Sequence, residues 1–118
     1  MTDSVLEPFA GGDPGERLRL VQTMVEATRL ASGVTVKAIV TPPGEGSPAG
    51  LHTHEFDQLF YVVDGEMQIE IDGRIDVARA GSIVVFPAGV AHRNWNAGTA
   101  TVRHLAFNIP TGSGGPHP

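Results

Sequence analysis

The sequence predicts an all-β sandwich or barrel, and three observations carry this prediction. Glycine (15 residues) and proline (9 residues) are too frequent in a chain of 118 residues for a helix bundle. Turn signals recur at short intervals, and Asp72-Gly73 between two alternating segments is a strong signal for a two-residue hairpin. The segments between the turns are rich in valine, isoleucine, phenylalanine and threonine, at the spacing of roughly 8–12 residues typical of all-β domains.

The segments between the turns predict a chain of short strands. The first segment is ambiguous because its apolar residues also fit helical spacing, but a turn at Ser32-Gly33 predicts that it pairs with the second. Met67, Ile69 and Ile71 alternate with polar residues, which is typical of a strand that buries one face. The predicted strands are 17–24, 34–41, 51–56, 58–63, 67–72, 74–78, 82–86, 90–96 and 101–108.

Chain length and composition predict a single domain. We assign residues 17–109 to the β-barrel, residues 1–16 to an N-terminal arm and residues 110–118 to a flexible C-terminal tail, since both ends are rich in glycine, proline or serine. The apolar content of 41% and the charged content of 18% are those of a globular protein. No apolar run approaches the roughly 20 residues that span a bilayer. Without cysteine or a secretory signal, we expect a cytoplasmic protein with no membrane partner.

The charge distribution argues against a nucleic-acid partner. The net charge is −5, Lys37 is the only lysine, and the arginines are dispersed along the chain. Nucleic-acid-binding proteins usually carry a basic patch, and this sequence has none. We therefore expect small molecules or other proteins as partners.

Three of the five histidines lie in two short segments. His52 and His54 are two residues apart on a predicted strand, so their imidazoles project from the same face. Gln58 opens the next strand, and His92 follows a turn about 34 residues later. A barrel could bring three imidazoles and one amide oxygen to a point, which suits a divalent first-row metal. A His-x-His pair alone is more often incidental, so both interpretations stay open at this level.

Glycine spacing strengthens the metal hypothesis. The first pattern is Gly46, His52, His54, Gln58 and Gly65, and the second is Gly81, Pro87, Gly89, His92 and Asn96. Both patterns resemble the two characteristic motifs of the cupin superfamily, strongly over residues 42–96 and by strand count over the rest. The resemblance implies a double-stranded β-helix, or jelly-roll barrel, with His52, His54 and His92 as metal ligands in the barrel mouth. It also identifies the chain as a compact, single-domain cupin.

Gln58 stands where the cupin motif usually has glutamate. Three neutral imidazoles and a neutral amide leave the full charge on a divalent metal, so the metal is a stronger Lewis acid, and Gln58 cannot act as a general base. Iron, manganese, nickel and zinc all suit this donor set. We predict a metal-dependent enzyme that acts on a small oxygen-rich organic substrate, either by Lewis-acid isomerisation, cyclisation or ring opening, or by dioxygenation. The alternative is a non-catalytic, ligand-sensing or binding module.

Strand alternation predicts which residues accompany Gln58 inside the barrel. Phe60 and Val62 share its face and would form an apolar wall of the substrate pocket. Leu59, Tyr61 and Val63 then face outward, and they are equally apolar.

An outward apolar face needs a cover. We predict a homodimer that buries it, while the competing interpretation is that Leu18 and Leu20 fold back over it.

The last predicted strand leaves two catalytic candidates open. If Arg103 faces inward, it could hold a substrate carboxylate, and if His104 faces inward, it could shuttle protons near neutral pH or be a structural histidine. On the strand of His92, Trp95 falls on the opposite side and is expected in packing or an interface, while Asn96 is expected to fix a turn.

Two carboxylates near the barrel mouth and the last histidine remain to be considered as functional residues. Glu55 and Asp57 are candidate bases, although solvated loop carboxylates are commoner. His117 lies in the C-terminal tail and is assigned no role.

Overall fold

The computed structural model describes residues 19–47 and 50–111, and in these two ranges the regular structure is entirely β. The five-stranded sheet has the order β1-β2-β8-β3-β6 and the three-stranded sheet the order β5-β4-β7, with every pairing antiparallel. The strands are β1 Leu20–Val25, β2 Thr35–Thr41, β3 Asp57–Asp64, β4 Glu66–Ile71, β5 Arg74–Arg79, β6 Ile83–Phe86, β7 His92–Trp95 and β8 Val102–Ile109. The predicted all-β fold is confirmed. Within the described ranges, no helix is long and apolar enough to cross a membrane.

The hairpin between β4 and β5 is formed as predicted. Ile71 pairs with Arg74, so the turn holds only Asp72 and Gly73. Both turn residues have positive φ, 51° and 80°, which matches the twist of a two-residue hairpin. The predicted pairing of the first two strands is also confirmed, because β1 and β2 are antiparallel neighbours.

The predicted strand at 51–56 was wrong. Only His52 pairs there, in an isolated bridge to His92 with N–H···O distances of 2.9 and 2.8 Å. Residues 51–56 begin next to β7 of the three-stranded sheet and lead into β3 of the five-stranded sheet. A chain that crosses between two sheets cannot stay in one ladder, so local propensity is overridden here.

The core lies between the inner faces of the two sheets. Phe60 and Val62 of β3 contact residues of the opposite sheet such as Met67 and Ile69 in one continuous cluster. Burial of these apolar side chains is the main driving force that holds the sheets together. The buried cluster comprises Ile39, Phe60, Val62, Met67, Ile69, Ala78, Phe86, Val102 and Ala106.

The turn after β3 depends on Gly65. Its φ is +84°, and a Cβ there would lie 2.8 Å from the carbonyl oxygen of Thr101. Only glycine accommodates both the left-handed backbone and this close approach. The turn therefore brings the end of β3 against the start of β8.

Asn96 fixes the loop before β8, as predicted. Its amide nitrogen donates to the carbonyl oxygens of Thr41, at 3.0 Å, and Ala100, at 2.8 Å. Its amide oxygen accepts a hydrogen bond from the backbone of Gly98 at 3.0 Å. Asn96 is fully buried, so these bonds satisfy a polar group that has no access to water.

The outer face of β3 and β6 is apolar and exposed. Tyr61, Val63, Ile83 and Val85 are 40%, 50%, 66% and 56% exposed. Leu20 does not cover this face, since β1 lies at the opposite edge of the sheet. The predicted role of Leu18 falls outside the described residues.

Candidate metal centre

Three histidines meet at one wall of the barrel interior. One ring nitrogen from each of His52, His54 and His92 lies within 4.8 Å of the other two. The ring centroids are 4.6–5.0 Å apart, and the Nε2 atoms of His52 and His54 are separated by 3.2 Å. The structure therefore brings together the three imidazoles that the sequence spacing singled out.

Backbone hydrogen bonds hold the three histidines together. The bridge between His52 and His92 sets two of them side by side. The third is held because the backbone N–H of Gly89 donates to the carbonyl oxygen of His54 at 2.9 Å. Gly89 has a φ of +81°, so the turn before β7 can reach back to the His54 segment.

Two imidazoles are oriented by carbonyl groups. The Nδ1 of His52 lies 2.6 Å from the carbonyl oxygen of Gly50, and the Nδ1 of His92 lies 3.0 Å from that of Val90. Since a carbonyl can only accept, each Nδ1 carries the proton and each Nε2 keeps its lone pair. The Nε2 of His92 is buried without a hydrogen-bond partner in the described residues. An orphaned lone pair of this kind fits a metal ligand.

Burial favours the neutral form of two histidines of the cluster, His54 and His92. Burial lowers the pKa of His54, and the neighbouring His52, His92 and Lys37 lower it further. Burial also lowers the pKa of His92, against a smaller raising effect of its hydrogen bond to Val90. Neutral imidazole is the form that binds metals, so the site favours the ligating state.

Gln58 lines the same cavity and has a fixed side chain. It faces Asn108 across the β3–β8 pairing, and its Nε2 donates to the Oδ1 of Asn108 at 2.7 Å. Because the nitrogen is engaged, the carboxamide oxygen is the atom left for another contact. Asn108 was not singled out from the sequence, although it alternates in step with His104 on β8.

Two of the three histidines, His52 and His54, line a cavity of about 450 Å³. Its lining combines apolar side chains with amides and two cations, and none of the described lining residues is a carboxylate. Sequence reasoning missed Arg19, Lys37, Ser47 and Asn94. The lining comprises Arg19, Val21, Lys37, Ile39, Ser47, His52, His54, Phe56, Gln58, Phe60, Asn94, Ala106 and Asn108.

Comparison with known families assigns the chain. The family profile described as the cupin domain matches residues 38–108, which is more than half of the sequence. This chain belongs to the cupin family.

Individual relatives agree with this assignment at the level of the fold. An RmlC-like cupin family protein with a double-stranded β-helix fold, from Methanocaldococcus jannaschii, is 21% identical with a TM-score of 0.71, covering 93% of both chains. A predicted oxalate decarboxylase from Thermotoga maritima is 21% identical with a TM-score of 0.72, covering 78% of this chain and 80% of that one. At these identities the likeness shows the double-stranded β-helix fold alone.

One curated relative is closer in sequence but much longer. The protein described as endoribonuclease YbeY from Myxococcus xanthus is 32% identical over 84 residues. The match covers 70% of this chain and 27% of that protein. The cupin chain therefore spans about a quarter of the length of this relative.

Of the two residues predicted to form the apolar wall of the pocket, one lines the cavity and the other lies in the core. Phe60 lines the cavity. Val62 points to the same side of β3 but is completely buried in the core cluster and is not among the lining residues. The apolar wall instead includes Ile39, Phe56 and Ala106.

Neither of the predicted catalytic residues of β8 lines the cavity of this cupin. Arg103 alternates to the outer side of the strand and is half-buried. His104 faces inward but is 1% exposed and packs against the Phe60 ring, with centroids 4.3 Å apart. Burial, and then the charge of Arg19, lowers the pKa of His104 to about 3, so its ring is uncharged at neutral pH and has no imidazolium proton to donate. Both ring nitrogens lack a partner in the described residues.

The other candidates have structural contacts. Asp57 accepts a hydrogen bond from the backbone of Ala88 at 2.9 Å and so stabilises the turn before β7. Glu55 is exposed and does not line the histidine cavity. Trp95 lies under the guanidinium of Arg93 at 4.7 Å, on the side of β7 away from the cluster. His117 lies outside the described residues.

Proposed function

We propose that this cupin binds one divalent transition metal through His52, His54, His92 and Gln58 and is an enzyme acting on a small oxygen-rich organic substrate. The observation that carries the proposal is the convergence of three imidazoles, of which His52 and His54 line a cavity and His92 has a buried Nε2 without a hydrogen-bond partner in the described residues. When bound, a divalent metal supplies Lewis acidity that polarises a carbonyl or enolate oxygen. The reaction types that fit are isomerisation, cyclisation, ring opening and dioxygenation.

The donor set suits several metals. Three neutral imidazoles and an amide oxygen bind iron, manganese, nickel or zinc, and they add no negative charge that would weaken the Lewis acid. The hydrogen bond from Gln58 to Asn108 supports the oxygen of Gln58 as the fourth ligand atom, because it occupies the nitrogen.

The rest of the cavity would bind and orient the substrate. Phe56, which stacks on His54 with ring centroids 4.5 Å apart, and Phe60 form apolar surface that excludes water beside the cluster. Ser47 and Asn94 contribute polar groups on the three-stranded-sheet side, and the Nδ2 of Asn94 has no hydrogen-bond partner in the described residues. These groups can orient a substrate rich in oxygen.

Metal analysis of histidine variants tests the site. We expect the wild-type protein, purified without added metal, to hold about one equivalent of a transition metal. His52→Ala and His92→Ala should lose it, because each removes one of three imidazoles. The control His104→Leu removes a histidine outside the cluster and should keep the metal. Full metal retention in both alanine variants would overturn the site.

One observation favours a second function, that of a ligand-binding module without turnover. No described lining residue is a carboxylate, so proton transfer would depend on the cluster histidines and Lys37. Incubation of the metal-loaded protein with a panel of small hydroxy and keto acids, followed by NMR, separates the two functions. Substrate conversion that is lost in His92→Ala supports the enzyme, whereas binding without conversion across the panel supports the module.

We also propose a homodimer formed through the outer face of β3 and β6. Tyr61, Val63, Ile83 and Val85 form an exposed apolar patch at the edge of the large sheet, which a symmetric second copy would bury on both subunits. Light scattering should report about twice the chain mass of 12.4 kDa. Ile83→Glu should give monomers, while Ile75→Glu, at an equally exposed residue of the other sheet, should not. A monomeric wild type would refute this interface.

A further inference from the structure

The cavity has two cationic side chains on the side formed by β1 and β2. Arg19 directly precedes β1, Lys37 lies on β2, and both line the cavity together with His52 and His54. Val21 and Ile39 pair across the two strands and line the cavity between them. Lys37 is the only lysine of the chain, so a cavity wall holds the one ammonium side chain that the protein has.

Neither cation has a negative partner in the described part of the chain. The two salt bridges there join Arg79 to Glu66 and Arg93 to Glu70, and none of these residues lines the cavity. The described lining contains no carboxylate at all. The cavity wall is therefore positively charged in a protein whose net charge is −5.

Arg19 is partly desolvated, and no described residue forms a salt bridge with it. Its Nε atom is buried and has no hydrogen-bond partner in the described residues. Burial lowers the pKa of Arg19, which means that the surroundings disfavour its positive charge. An anion would satisfy the buried donor and offset this cost.

Further polar groups that lack a hydrogen-bond partner among the described residues lie next to Arg19. The pairing of Leu20 with Val40 places Arg19 beside Thr41, whose buried Oγ1 has no partner. His104, which is close enough for Arg19 to lower its pKa, has two partnerless ring nitrogens. Since buried polar groups are normally hydrogen-bonded, their concentration on three adjacent strands indicates that a polar ligand group or water completes this region.

We propose that Arg19 and Lys37 bind the carboxylate of the cavity's ligand, so that the ligand class is a small carboxylic acid with an apolar body. The guanidinium contributes a two-pronged contact and the ammonium a point charge. Val21, Ile39 and Phe60 pack against the apolar body. The ligand lies in the same cavity as His52 and His54, and only its contact with a metal at these histidines rests on the proposed function.

Benzoate and its neutral analogue benzamide provide the test. The protein is stripped of metal with a chelator and titrated with each compound by calorimetry and by NMR. We expect benzoate to bind at least about tenfold more tightly than benzamide, and its affinity to fall with added salt. Arg19→Gln and Lys37→Gln should each weaken benzoate binding about tenfold or more and leave benzamide unchanged.

Two controls separate this proposal from the metal site. Arg103→Gln removes an arginine of the outer face and should leave benzoate affinity unchanged. Arg19→Gln should still bind metal, whereas His92→Ala should lose metal and still bind benzoate in the metal-free assay. Equal binding of benzoate and benzamide, no benzoate binding by folded wild type, or unchanged affinity in the Arg19 and Lys37 variants would overturn the carboxylate site whatever the metal result.

Discussion

Two buried histidines stand at opposite ends of one aromatic column inside the barrel. His92 packs against Phe86 at 4.4 Å, Phe86 against Phe60 at 4.7 Å, and Phe60 against His104 at 4.3 Å, measured between ring centroids. Both histidines are fully buried, both have a lowered pKa, and both have a ring nitrogen without a partner in the described residues. By burial and charge alone they are hard to tell apart.

The two histidines differ in whether a hydrogen bond orients the ring and in which side chains surround it. The Nδ1 of His92 is fixed by the Val90 carbonyl, and two further imidazoles, His52 and His54, contact its ring. Within the described ranges, neither nitrogen of His104 has a hydrogen-bond partner, and the ring packs against Phe60 near Arg19. Burial makes an imidazole neutral, but a metal site also needs a fixed lone pair and converging donors. These two requirements separate the ligand candidate from the core residue.

The largest expected effect is a loss of stability on replacing Phe86, which lies between His92 and Phe60 in the aromatic column. Phe86→Ala removes a fully buried ring that contacts both Phe60 and His92, and should lower the free energy of unfolding by about 3–5 kcal/mol. Urea unfolding of the metal-free protein measures it. Val77→Ala, at an exposed residue of β5, is the control and should cost at most about 1 kcal/mol. Equal costs would mean that the column does not support the barrel.

The next effect is the pH dependence caused by His104. Its pKa is about 3 in the folded protein against a model-compound value of 6.5, so between these pH values the unfolded chain binds a proton that the folded protein does not. Stability is fully present above the unfolded pKa and is lost as the pH falls, by up to about 1.4 kcal/mol per pH unit for this group. The lowered pKa values of His54 and His92 act in the same direction.

His104→Leu isolates this contribution. At about pH 7.5 the variant should match the wild type within about 1 kcal/mol, because it removes two unpartnered nitrogens along with the ring. At about pH 4.5 the wild type should have lost about 2.7 kcal/mol more than the variant. Urea unfolding with a chelator present measures both values. Parallel losses in the two proteins would show that His104 does not stay neutral.

The smallest effect concerns the orientation of Gln58. Asn108→Ala removes the acceptor that engages the Gln58 nitrogen, and should weaken metal binding by about 10–100-fold in a competition assay with a chelator. Asn96→Ala breaks hydrogen bonds at a loop instead, so it should lower stability and leave the metal affinity unchanged. A metal affinity that is insensitive to Asn108 would remove Gln58 from the ligand set.

Local patterns predicted much of this molecule. The Asp72-Gly73 turn and the clustering of His52 with His54 follow from short spacings, which depend on backbone geometry over a few residues. The strand predicted at 51–56 failed because its residues pass between two sheets, and nothing local marks such a crossing. The metal itself, the homodimer and the absence of a nucleic-acid partner stay predictions.

Other features needed the pairing of distant strands. The alternation on β8 left Arg103 and His104 as equal candidates, and only the register with β3 turned His104 inward and brought Asn108 to Gln58. Lys37 was conspicuous as the single lysine, but its side of β2 and its place in the cavity were visible only in the folded chain.

By itself, the sequence determined the all-β class, the family, the main turns and the three histidines of the cluster, because these depend on residue type and short-range spacing. The tertiary structure decided which face of each strand became cavity, core or outer surface. That choice depends on strand register and on packing between the two sheets, where side chains far apart in sequence compete for the same interior volume. It turned one histidine into a candidate ligand and another into part of the core.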